Sequence, residues 1–419
     1  MIYSIAFCRV IRIRITAAVT ALILACSHSA SADSRVLTLQ QALSRATQQH
    51  PSILSYQHRL KSAESAREQA NSLPNPELDL EIENFAGQAN GLREAETTVS
   101  ILQPIELGGE RKARTSLALI NRDIIAQEAL VAKLAIKAHT KLAFTKLLYF
   151  QLLADLTQEQ RQMAHFAADR TKRKHEAGAV LLVDKTKAEV TLQNIQLEHQ
   201  QALAELTVAK QELASMWNGS EQDVGTVSGS LAVDDPSRYL LSANFSKSPL
   251  AAIASLKRRS ASESLALERA AAIPDIKVGL GYRHIGETDT DTFVGSFSVE
   301  LPLFSQNSNA VTGAKHLIDA AAMEEVDARR QLGLQVTRLQ ARLRSLVAQN
   351  QRVTNSLVPA SKTAYRQARD AYEQGRIGYL ELFDAMRTLF AVKKANLDLL
   401  LSLNSTAIEL EQLFVVEEG

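Results

Sequence analysis

The chain has little of what most folds are built around. Its 419 residues include two cysteines, one tryptophan and nine prolines, and aromatics make up only 5%. Both cysteines, Cys8 and Cys26, fall near the start. A disulfide scaffold and thiol chemistry are therefore excluded for the body of the chain. Neither sign of charge dominates. The 47 basic and 46 acidic residues give +1, so nothing argues for nucleic acid as a partner. No later apolar run approaches the ~18 residues of a spanning helix. The GxSxG, HExxH and P-loop patterns of enzymes are missing. His165, His175 and His199 are scattered, with no i, i+4 pair, so neither a dedicated metal site nor a cofactor is expected.

What is present begins with a processing segment. Arg9, Arg12 and Arg14 precede a short apolar core, Ile15 to Ala25, and Ala30-Ser31-Ala32 gives an A-x-A site. Residues 1–32 are expected to be a signal peptide, with cleavage before Asp33. Lipoprotein processing at Cys26 is the other mode, and the A-x-A site is the cleaner of the two. Loss of the three arginines would take the formal charge from +1 to −2.

The remainder says the same thing twice. His50-Pro51 opens a helical stretch to Leu73-Pro74, then come two alternating segments, Gln103-Pro104 and a long helix to Gly178. Ser248-Pro249 opens a second series with Ile273-Pro274, two alternating segments, Leu301-Pro302 and a long helix to Gly375. An internal duplication follows, with repeats over 33–247 and 248–419.

The alternating segments are Glu77 to Phe85, Glu96 to Pro104, Ile276 to Arg283 and Thr292 to Pro302. In the first, Leu78, Leu80 and Ile82 oppose Glu77, Asp79, Glu81 and Glu83. A period of two with one apolar face puts grease on one side and water on the other. Each segment is close to the ~9–11 residues of a tilted membrane strand. The four acids suit a wet lumen, where their simplest role is hydration and a second is favouring cations. The rival reading is a small sheet in a soluble protein. Four strands cannot close a barrel, and open edges are not tolerated in lipid. Three copies would supply about 12 strands, the simplest of the possible closures.

From Gly109 to Glu176 there is neither proline nor internal glycine, which predicts a helix ~100 Å long. Asn309 to Gln374 is similar, with Gly313, Gly333 and Pro359 as possible irregularities. Heptad seams run from Leu192 to Met216 and from Leu332 to Leu357. The last helix has two, Phe383 to Asn404 and Leu382 to Leu410. Shorter helices over about 40–73 and 184–216, 249–272 and 379–414 would stack beside the long ones. Trp217 to Asn244 would form a belt at the breaks.

The stretches Leu37 to Leu43 with His50-Pro51, Leu73-Pro74-Asn75-Pro76-Glu77-Leu78, Gln103 to Arg111 and Ala371-Tyr372-Glu373-Gln374-Gly375 make the chain similar to a known family. It resembles the TolC family of outer-membrane efflux channels, in the branch serving cobalt–zinc–cadmium resistance. The resemblance spans nearly all of the chain after residue 32. It implies a mixed α+β, mostly helical fold. It implies a homotrimer with a shared, roughly 12-stranded transmembrane β-barrel in outer-membrane lipid and a coiled-coil periplasmic tunnel. It also implies a periplasmic adaptor and an inner-membrane, proton-driven pump of the RND type as partners, and a passive conduit for heavy-metal cations. A duct for drugs or secreted protein, and a soluble periplasmic adaptor or scaffold, are the alternatives.

Two helix–turn–helix tips are the candidate gate and docking surface. Gly178, Val180, Leu181, Leu182 and Asp184 form one; Gly375, Ile377, Gly378 and Glu381 form the other. The glycines reverse the chain. Asp184 and Glu381 are expected to cap helices or to serve the gate. The apolar Val180-Leu181-Leu182 suits a contact surface.

Overall fold

The computed structural model describes residues 36–86, 91–232 and 248–414. The expected signal peptide lies outside them, as do residues 87–90 of the first interstrand loop and 233–244 of the belt.

The first half opens with α1, Leu39–Gln49, started by a capping box. Thr38 Oγ1 accepts from Gln41 N–H at 3.3 Å, and Gln41 Oε1 accepts from Thr38 N–H at 3.1 Å. The single helix expected over about 40–73 is in fact two. His50 turns extended, its ring accepts from Ser52 N–H at 3.1 Å, and Pro51 takes the first position of α2, Pro51–Ala70. Proline has no N–H to leave unpaired there. Strands β1, Glu77–Glu83, and β2, Glu96–Ile105, follow. Then α3 runs unbroken for 67 residues, Glu110–Glu176, and α4 returns over Leu182–Ser215.

The second half repeats this with α5, Pro249–Ala270, β3, Ile276–Ile285, and β4, Thr290–Val299. Its long helix has two parts. α6 spans Ser308–Arg352, a five-residue π turn occupies Val353–Leu357, and α7 spans Val358–Glu373. α8, Tyr379–Gln412, returns. Gly313 and Gly333 leave α6 undisturbed. The irregularity falls just before Pro359, whose ring and missing N–H disrupt the ladder one turn upstream.

α5 packs against both α3 and α6, and α8 packs against α3, α6 and α7. Small cores are strung along the helices rather than gathered at one centre. Ile195, Ala202, Ala209 and Leu213 are buried as the α4 seam predicts, and Leu332, Val336, Leu339 and Leu343 as the α6 seam predicts. That seam was expected to reach Leu357, but Leu357 is 50% exposed. The π turn shifts its side chains out of heptad register. α8 buries two faces, Met386 and Phe390 on one and Leu382, Leu389, Leu403 and Leu410 on the other.

The described part of the belt crosses α3 and α8. Leu37 bridges Val227 in parallel, and the Gln151 amide holds Val227 on both backbone groups at 3.2 and 3.3 Å. Asn404 donates to the Leu231 carbonyl at 2.7 Å. Trp217 is buried, with the Arg45 guanidinium 5.5 Å from its ring.

The strands form one antiparallel sheet in the order β1-β2-β3-β4, so the two halves meet at β2–β3. Leu80–Val99–Tyr282–Phe293 and Leu78–Ile101–Leu280–Gly295 are apolar rows on one face. Asp79–Ser100–Gly281–Val294 and Glu81–Thr98–Arg283–Thr292 lie on the other. Leu301, expected to close the last strand, lies beyond it. Leu303 N–H turns back to the Leu301 carbonyl at 2.8 Å, and Pro302 has no donor for a ladder. A Cβ on Gly279 would strike the Ser296 hydroxyl, and one on Gly281 would lie 2.8 Å from Ser100 Cβ. Glycine lets the strands close up on the polar face.

Candidate functional site

The two hairpin tips are built alike. α3 ends in Gly178 at φ 73° and α7 ends in Gly375 at φ 72°. Ala179 N–H reaches back to the Lys174 carbonyl at 2.7 Å, and Arg376 N–H to that of Ala371 at 2.9 Å. Gly178 N–H bonds the His175 carbonyl at 2.9 Å, and Gly375 N–H that of Tyr372 at 3.1 Å. Both are Schellman endings, which satisfy the last carbonyls and reverse the chain.

The return helices start without side-chain caps. Leu181 is the N-cap of α4 and Gly378 that of α8, both extended. The capping role expected of Asp184 and Glu381 is therefore wrong. Both stand inside the first turn, where a carboxylate serves the helix dipole without closing a cap.

The apolar surface differs from expectation in two places. Leu181 is 70% and Leu182 60% exposed, with Val183 exposed beside them. Val180 is half-buried, its carbonyl facing His175 Nδ1 at 3.1 Å. Ile377 turns inward onto the core of Ala167, Ala168, Ala188, Tyr372, Tyr379 and Leu382, while Leu380, at 59%, is exposed instead. Gly378 adds no side chain, so the exposed apolar position falls two residues later.

The two tips are also tied together, by residues to which the sequence reading gave no role at the tips. Tyr372 of α7 is only 2% exposed. Its hydroxyl hydrogen-bonds Thr171 Oγ1 of α3 at 2.8 Å, and Lys174 Nζ donates to its carbonyl at 2.7 Å. The same ammonium lies 3.8 Å from the centre of the Tyr372 ring. A buried hydroxyl pair and a cation over an aromatic face each favour this arrangement by about 1 kcal/mol. Tyr379 stands in the same core, and burial pushes its phenol above the usual range. The one available signal was an aromatic residue just before a helix-ending glycine in an aromatic-poor chain.

On the sheet, the four acids of β1 share the face opposite the apolar rows. Two are compensated from β3. Lys277 Nζ lies 2.8 Å from Glu77, and Arg283 lies 3.4 Å from both Glu83 and Glu96 and donates to Thr98 Oγ1 at 2.8 Å. Among the described residues Asp79 and Glu81 have no ion-pair partner. Charge on this face and aliphatic side chains on the other require water on one side only. β1 and β4 leave their outer edges unpaired among the described strands.

Among the described residues no group of three His, Cys, Asp or Glu is placed to hold a metal ion, and no helix is long and apolar enough to cross a membrane. His199 instead faces Thr157 Oγ1 at 3.0 Å inside the helix packing.

The sequence pattern of the family described as Outer membrane efflux protein matches residues 42–219 and 241–414. The chain belongs to the outer membrane efflux protein family. As a member it has the TolC-like channel fold, in which long helical hairpins carry a small membrane sheet. It is an efflux protein of the Gram-negative outer membrane with its helices in the periplasm. The soluble adaptor or scaffold reading is overturned by this membership. Among relatives, the chain is 29% identical over 361 residues to the cobalt-zinc-cadmium resistance protein CzcC of Cupriavidus metallidurans, covering 85% of each. It is also 29% identical over 322 residues to the nickel and cobalt resistance protein CnrC of the same organism, covering 71% of this chain and 70% of that one. The solved outer membrane protein VceC of Vibrio cholerae superposes with a TM-score of 0.74 at 16% identity, over 90% of this chain and 94% of that one.

Proposed function

We propose that three copies of this outer membrane efflux protein close one barrel and one helical tunnel, and that the assembly is a passive exit duct for heavy-metal cations. The sheet carries the first part of the reading. Four strands with one lipid-suited face, one charged face and two open edges need further strands, and three copies give about 12. The duplicated layout, with repeats over 33–247 and 248–419, is part of the same proposal and is supported by the two blocks of the family match.

The cargo is read from the named relatives, which are resistance proteins for cobalt, zinc, cadmium and nickel. The acids Glu77, Asp79, Glu81 and Glu83, two of them uncompensated, suit a lumen that lets cations pass. Nothing in the duct has to be catalytic, and no cofactor takes part. The exposed Leu181, Leu182, Val183 and Leu380 are the surface for a periplasmic adaptor, which joins the duct to an inner-membrane RND-type pump. The tie through Tyr372 holds the tips closed until that partner binds.

Two measurements test this. Extraction from membranes should require detergent and give a trimer, and a detergent-free soluble monomer would end the reading. Deletion in the source strain should sensitise cells to cobalt, zinc or cadmium salts. Sensitisation to lipophilic drugs alone, or loss of a secreted protein alone, would replace the metal cargo with one of those.

A further inference from the structure

The lipid-suited face of the sheet is shorter than the membrane it has to cross. On β3 it runs from Tyr282 to Ile276, and on β4 from Phe293 to Val299. That is about six steps along a strand, or roughly 15 Å of height at a tilt of about 40°, against the ~25 Å apolar band of an outer-membrane barrel. The missing height does not come from the far end of the strands. His284 Nδ1 and Asp291 Oδ1, 2.9 Å apart, stand on the same face one row past Tyr282 and Phe293. Tyr282 and Phe293 themselves meet edge to face with ring centroids 6.1 Å apart, an aromatic pair suited to a lipid–water boundary.

The near end, where strands meet helices, is greasy at every crossing. Leu73 precedes β1, Leu107 follows β2, Ile273 precedes β3, and Leu301, Leu303 and Phe304 follow β4; all are exposed. Leu107 keeps the parity of Ile101 and Ile105, and Leu301 that of Phe297 and Val299, so both continue the lipid-suited face. Each residue past Val299 adds at most ~2.5 Å of height, so about four are needed, which reaches Leu303. A second copy would add its strands at the open edges, β1 and β4. Leu107 and Ile273 adjoin the inner strands, away from those edges, so lipid is the one cover that all the crossings share.

Free cations lie within about a turn of these crossings. Arg111 and Lys112 open α3, and Arg269 closes α5. All are exposed, and among the described residues none has an ion-pair partner. The acids at this level are turned to the chain itself. Arg114 holds Glu106 at 2.7 Å, Leu107 N–H donates to Asp275 at 3.2 Å, and Asn307 donates to Glu268 at 2.9 Å. Half-buried Glu110 lies near Asp275, Glu106 and Arg114. Unpaired cations just below an apolar ring match the headgroup layer of an anionic phospholipid.

We propose that the crossings between sheet and helices form a collar that seats the protein in the periplasmic leaflet, its apolar side chains among acyl chains and Arg111, Lys112 and Arg269 on anionic phospholipid headgroups. The collar fixes the depth at which barrel gives way to tunnel. It goes beyond the duct reading, needing only the outer-membrane setting and neither the cargo nor the tips.

The chain has no cysteine after Cys26, so single nitroxide labels can be placed at Leu107→Cys and Leu303→Cys. The labelled proteins are reconstituted in vesicles of phosphatidylethanolamine and phosphatidylglycerol. Both labels should collide with oxygen and be shielded from a water-soluble nickel chelate, as in lipid. Exposure to the chelate would put the collar in water, and shielding from both reagents would put a second copy over it; either result overturns the collar. Spin-labelled phospholipids then test the lipid class. The unmodified protein should hold phosphatidylglycerol several-fold more tightly than phosphatidylcholine, and Arg111→Gln/Lys112→Gln/Arg269→Gln should lose that preference. No preference in the unmodified protein, or the same preference in the variant, would overturn the assignment to anionic lipid. Trimer recovery from the same vesicles reports on the duct separately. An unmodified protein that never trimerises sinks that reading, while the label at Leu107, beside an inner strand, still judges the collar.

Discussion

Gly178 and Gly375 show how much can depend on one backbone angle. Neither is crowded, for a Cβ at either position would meet nothing within 4 Å. Their requirement is the left-handed φ that ends each helix. Gly375→Ala should therefore cost about 1 kcal/mol, seen as a lower melting temperature of the detergent-solubilised protein, and Gly375→Asn less. Equal melting of all three would mean that the turn rearranges freely. Residue identity alone misassigned other positions nearby. Asp184 and Glu381 have the chemistry of caps, yet stand three positions inside their helices. Ile377 and Leu380 are both apolar, and only the path of the chain through Gly378 decides which is covered.

Elements were more legible than residues. Strict alternation marked all four strands because a side-chain period of two exposes a face error at every second position. Their ends were less clear, as Leu301 illustrates. Register is a tertiary matter, and it explains Gly279 and Gly281 as sites of close approach to β4 and β2. Gly279→Leu should prevent β3 and β4 from closing up, so that little or no trimer is recovered from membranes. Normal trimer yield would show that the Ser296 side moves away at little cost. For the helices, the absence of proline and glycine foretold the unbroken α3. Pro359 foretold a defect, but its effect lies upstream because a proline disturbs the bond to the preceding turn. That shift also ends the seam before Leu357.

At the scale of the molecule, the chain has two hairpins with similar tips, one on a continuous long helix and the other on an interrupted one. The first presents the larger apolar surface, Leu181, Leu182 and Val183, and the second is held against it by Tyr372. Leu181→Asp/Leu182→Asp should abolish metal resistance while the trimer still assembles, since neither side chain packs within the chain. Wild-type resistance in that variant would remove the first tip from adaptor docking.

The sequence by itself determined the unbroken α3, the strand faces and the tip glycines. These depend on periodicity and on backbone angles that a residue either permits or forbids, and both are local properties. Only the tertiary structure decided the rest. Thr171 meets Tyr372 across 201 positions, and Lys277 reaches Glu77 across 200. Such contacts are set by how whole helices and strands lie against one another, which no local pattern encodes.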